Sequence, residues 1–173
     1  MAGAASVIVA CASQDSEPEY GVRAFDAPTG SYIVPLAGYQ PGVPINRRWE
    51  ELSPAEKDRV RARVRQYERN LPPDAEVPFP LEGLKPILLM LRDLQAEYKW
   101  RGSITEVLIV DKEGNVSNVL VLGFAPENFV SSTRRAFSQV KFKPARCGAQ
   151  PCQMAFPIAM NFLINKDGSV ARP

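Results

Sequence analysis

Ser103-Ile104-Thr105-Glu106-Val107-Leu108-Ile109-Val110-Asp111-Lys112-Glu113-Gly114-Asn115-Val116-Ser117-Asn118-Val119-Leu120-Val121-Leu122 is the stretch whose reading decides the fold. Ser103–Val110 is rich in β-branched residues, which favour a pleated strand. Asp111–Asn115 is a turn with Gly114 where a positive φ is needed, and Val116–Leu122 resumes the strand, so the whole reads as a hairpin. Downstream, the spacing predicts a helix over Pro126–Val140 that carries Phe129, Thr133, Ala136, Phe137 and Val140 inward. Further on, Phe156, Ile158, Met160, Phe162 and Ile164 alternate strictly with Ala155, Pro157, Ala159, Asn161 and Leu163, the signature of a strand with one buried face. Pro157 has no N–H for a ladder, which places this last strand at an edge for at least part of its length. Hairpin, helix and strand together predict an α+β fold, with a small antiparallel three-stranded sheet packed on helices.

Upstream of the hairpin the chain reads as two further helices. Ser53-Pro54-Ala55-Glu56 has a serine cap, a proline in the first turn and a glutamate three residues after the cap, a helix start. The helix is expected to run to about Asn70, with Val60, Val64, Tyr67 and Leu71 on one stripe. Arg59, Arg61, Arg63 and Arg65 occupy its other faces. They fit either an anionic-surface contact or a solvated face balanced by Glu56, Asp58 and Glu68, and the solvated face is the reading taken. Pro72, Pro73, Pro78 and Pro80 mark a stiff connector. A second helix is expected over Pro86–Trp100, with Ile87, Met90, Leu91, Leu94 and Tyr98 turned to the core.

Residues 12–46 hold Pro18, Pro28, Pro35, Pro41 and Pro44 with Gly21, Gly30, Gly38 and Gly42, a composition that breaks helices and ladders alike. The expected organisation is therefore a signal or lipobox segment at 1–11, a flexible, disordered linker at 12–46, a two-helix extension at 47–101 and the α+β domain at 102–173.

The totals restrict the function classes. The 173 residues carry 21 basic and 19 acidic side chains, a net charge of +2, which gives the whole molecule no field suited to nucleic acid. There is no histidine, so the commonest general base and the commonest zinc ligand are missing. No metal site, cofactor or catalytic residue is expected, and the chain is read as a binding protein and not an enzyme.

Three cysteines are present. Cys147 and Cys152 bracket a loop short enough for a disulfide clasp, which would suit an oxidising compartment such as the periplasm; two reduced, buried thiols are the other reading. Their four intervening residues differ from the Cys-x-x-Cys spacing of redox enzymes, which speaks against thiol catalysis. Cys11 follows Ile8-Val9-Ala10, and small residues before a cysteine resemble the lipobox of bacterial lipoproteins, with a frayed apolar tail as the plain alternative. The apolar run at 2–10 falls short of the roughly 20 residues that span a bilayer.

The order of elements coincides with a set of particular residues. Gly102, Asp111-x-x-Gly114-x-Val116-x-Asn118-Val119-x-Val121-Leu122, Pro126, Lys141-Phe142-Lys143-Pro144-Ala145, a glycine loop and Phe156-x-Ile158-x-Met160-x-Phe162 together resemble the C-terminal domain of the energy transducer TonB. The resemblance covers 102–164, a little over a third of the chain. Val140 stands where family members usually carry a large aromatic, and Pro80 lies 22 positions before Gly102 with an added helix between. The membrane-spanning helix and long proline-rich spacer of a full transducer are not recognised upstream.

The resemblance implies a periplasmic protein-interaction module, anchored to a membrane only through lipid on Cys11 if at all. Its partner would be an outer-membrane receptor or another envelope protein, bound as an added strand at the edge formed by Ala155, Pro157, Ala159, Asn161 and Leu163. A homodimer is compatible with the family. The alternative is a truncated or mis-started transducer serving receptor-dependent uptake of siderophores or vitamin B12. A third reading makes the two upstream helices the docking surface of an envelope assembly.

Overall fold

The computed structural model describes residues 43–72 and 75–162. The expectations for the lipobox with Cys11, for most of the linker, for Leu163 and Ile164 and for the terminal turn lie outside the described residues.

The elements follow the sequence reading in order, with ends shifted by local geometry. After a 3₁₀ turn at Trp49–Glu51, α1 spans Pro54–Val64. Its Ser53 cap receives the Glu56 N–H, and the Glu56 carboxylate accepts the Ser53 N–H at 2.7 Å, a reciprocal capping box. Two-residue β1 (Phe79–Pro80) precedes α2 (Lys85–Tyr98). α2 stops short of Trp100 because Lys99 adopts a left-handed φ of 48°. This turn frees Trp100 to pack on Phe129 and Phe162, with ring centres 5.0 and 5.3 Å away.

The hairpin is β2 (Gly102–Val110) and β3 (Val116–Gly123), followed by α3 (Glu127–Phe137). Then come β4 (Phe142–Lys143), β5 (Ala145–Cys147), β6 (Gln150–Cys152) and β7 (Met154–Phe162). The main sheet is antiparallel in the order β3-β2-β7, so among the described residues β7 is an edge, as Pro157 predicts. Two smaller pairings, β1 with β4 and β5 with β6, were not foreseen. Strands of two or three residues are too short to carry a period.

Gly114 is required in the hairpin turn on two counts. Its φ is +83°, and a Cβ there would run into the carbonyl of Phe142, whose own N–H bonds to Gly114 O at 2.9 Å. The turn is thus sewn to the strand that follows α3, and Phe142 is buried against Phe156 with ring centres 5.3 Å apart.

One core cluster runs from Val43 to Phe162 and crosses the expected boundary at 101/102 without a break. Trp49 packs on Phe79, Phe79 on Phe156, and Phe129 on Phe162 at 5.2 Å. The end of the expected linker also belongs to the folded part: Val43 is buried, and Ile45 O accepts the Lys85 N–H at 2.7 Å. The physical reason is that a small sheet with one helix cannot cover the aromatic side chains it turns inward.

Candidate binding edge

The ladder phase of β7 follows from one hydrogen bond. Ala155 N–H is given to Glu68 Oε1 at 2.9 Å, so it points away from β2. In an antiparallel strand the direction of the peptide groups alternates, so Pro157, Ala159 and Asn161 face the same outer rim. Pro157 stands opposite Val107 at such a position, where its missing N–H costs the ladder nothing. Ala155, Pro157, Ala159 and Asn161 therefore share one row, as expected.

They are not equally accessible. The side chains of Ala155 and Pro157 are buried, while those of Ala159 and Asn161 are half-buried. Ala155 belongs to a second apolar cluster on the sheet's other face, with Val107 and Ile109, against which Tyr67, Leu120 and Leu122 pack. α1 was expected to continue to about Asn70; it ends at Val64, and tightened turns after it lay Tyr67 on this cluster and bring Glu68 to the rim. The chain's own segment thus closes the rim at Ala155. Among the described residues no strand pairs with the outer side of β7. Ser103 Oγ donates to Asn161 Oδ1 at 3.0 Å.

The opposite edge carries a similar stopper. Val119 N–H on β3 is given to the Asn118 side-chain oxygen at 2.8 Å. Both edges are blunted by polar side chains, the usual defence against uncontrolled strand pairing.

Cys147 and Cys152 are bonded, with Cα atoms 5.8 Å apart, and close the β5–β6 hairpin. A loop this short gains about 2 kcal/mol from its crosslink. Phe124 is 87% exposed beside the end of β3. A cleft of about 400 Å³ opens between β1 and the ends of α2 and α3, walled by Leu81, Ile87, Met90 and Val140. Among the described residues no group of three His, Cys, Asp or Glu side chains is arranged to hold a metal ion, and no helix is long and apolar enough to cross a membrane.

Sequence reasoning passed over Glu106. It has no exposure, it sits in the middle of β2, and its carboxyl is pushed up to about 7 by burial, against the opposing pull of its Thr133 hydrogen bond and the Arg134 charge. The signal was available, since Glu106 is in phase with Ile104 and Leu108 on the strand's apolar face.

Compared with protein-family models, with curated proteins and with solved structures, the chain matches none of them.

Proposed function

We propose that the protein is a periplasmic interaction module resembling the TonB C-terminal domain, and that it captures an extended partner segment as an added strand on β7. The observation that carries this reading is the edge position of β7, with no strand on its outer side among the described residues. Backbone groups of such a rim supply affinity, and the half-buried side chains of Ala159 and Asn161 flank the added strand. The exposed Cys147–Cys152 hairpin fits an oxidising compartment. The partner is an outer-membrane receptor or another envelope protein, as the resemblance implies.

The test uses Ala159→Pro, which removes the outward donor while leaving the bonds of β7 to β2 in place. Partners co-purified from envelope fractions are compared for the native chain, for this variant and for Leu81→Glu in the cleft. The reading expects a specific protein to be lost with Ala159→Pro, with binding weakened at least roughly tenfold, and kept with Leu81→Glu. The opposite pattern would transfer the function to the cleft and the upstream helices.

A further inference from the structure

We infer that Glu106 is kept as a neutral carboxylic acid that donates its proton to Thr133 Oγ1, and that this proton clasps α3 to the central strand and makes its hold sensitive to pH. The argument is one of counting protons. Thr133 Oγ1 lies 2.5 Å from Glu106 Oε1 and 2.9 Å from Val130 O. A hydroxyl has one hydrogen, whereas an ionised carboxylate and a peptide carbonyl are both acceptors only. With Glu106 ionised, one of these two close oxygen pairs has no proton between its members. With Glu106 protonated, both are served: the Glu106 O–H donates to Thr133 Oγ1, and the Thr133 O–H donates to Val130 O.

The surroundings favour the same state. Glu106 is fully buried, opposite Val121 on β3 and Ile158 on β7. Among the described residues its Oε2 has no hydrogen-bond partner. For a neutral acid that is one missing bond on a carbonyl-type oxygen; for an anion it would leave charge stranded among apolar groups. The charged residues of α3 near it are Arg134 and Arg135, both on the exposed side, and the Arg134 charge only partly offsets the effect of burial. α2, which packs on α3, has buried Gln95 and also Tyr98, whose hydroxyl shares a hydrogen bond of 2.7 Å with Ser132 Oγ. The charged Arg92, Asp93 and Glu97 of α2 are exposed. The two flanking strands put only Val121 and Ile158 opposite it, and the chain has no histidine to titrate in the same range.

The sign follows from linkage. The carboxyl of Glu106 is raised in the fold to about 7, against an ordinary value near 4.3 in the unfolded chain. The folded protein therefore holds an extra proton between these values. The contribution to stability is fully present below the lower value, falls through the window and is lost above about pH 7. Between pH 5 and pH 8 the unfolding constant is expected to rise on the order of 100-fold from this group alone.

The experiment follows the Glu106 side-chain carboxyl carbon by NMR in the full chain from pH 4 to pH 9, together with urea unfolding and amide exchange of the native chain and Glu106→Gln. The expected result is a single titration step near neutrality. The Val130–Phe137 amides should lose protection as pH rises, and the pH-dependent loss of stability should vanish in Glu106→Gln, which is neutral throughout. A carboxyl midpoint below pH 5, or a Glu106→Gln profile with the same slope as the native chain, overturns the inference. If Glu106→Gln does not fold, the carbon titration of the native chain decides alone.

Discussion

Gly114 and Glu106 mark the two ends of what a single residue can disclose. Gly114 announces itself in the sequence as a turn glycine, and the structure adds that its hydrogen is the only side chain Phe142 O will admit. Gly114→Ala is therefore expected to lose about 2 kcal/mol or more, from an unfavourable φ and a backbone clash together. Equilibrium denaturation in urea measures it, and a loss below half that value would mean the turn can shift away from Phe142. Glu106 is the reverse case. Its phase in the strand is legible, but its partner is not, because Thr133 lies in a helix 27 positions on. No local pattern specifies which helical hydroxyl will meet a strand carboxyl.

At the scale of elements, the three helices and the three strands of the main sheet were legible because each is long enough to carry a period. Their ends were not. α1 has an apolar stripe that continues past Val64 through Tyr67 and Leu71, yet the helix stops, because Tyr67 has a second apolar surface to cover on the far side of the sheet. That break carries Glu68 to Ala155. Glu68→Ala is expected to free the outward N–H of Ala155, so that its amide exchange accelerates at least roughly tenfold, since a hydrogen bond to a charged acceptor contributes about 1.5–3 kcal/mol. Glu68→Gln, which keeps an acceptor, should show a smaller change. Exchange at Ala155 that is indifferent to both would remove Glu68 as the stopper of the rim. The short pairs β1–β4 and β5–β6 escaped notice for lack of length, although the disulfide that closes the second was visible as one of two readings of Cys147 and Cys152.

For the whole molecule, the change of texture at Gly102 suggested a boundary, whereas the core runs straight across it. Trp49, Phe79, Ile87 and Leu91 from the upstream part are buried in the same cluster as Phe129, Phe156 and Phe162. A fragment starting at Gly102 is therefore expected not to fold cooperatively: its amide spectrum should be poorly dispersed and its thermal transition absent, whereas the full chain shows both. A fragment that melts sharply on its own would restore the boundary.

The sequence by itself determined the α+β class, the antiparallel hairpin, the edge position of the last strand and the capped start of α1, because these follow from local periods, turn chemistry and the missing donor of Pro157. Only the tertiary structure decided that Glu68 caps that edge at Ala155, where α1 ends, that one core spans both halves, and that Glu106 meets Thr133. Each of these depends on which surfaces, remote along the chain, compete to cover the same apolar area. A pattern of neighbours encodes which residues must be buried, but not against what.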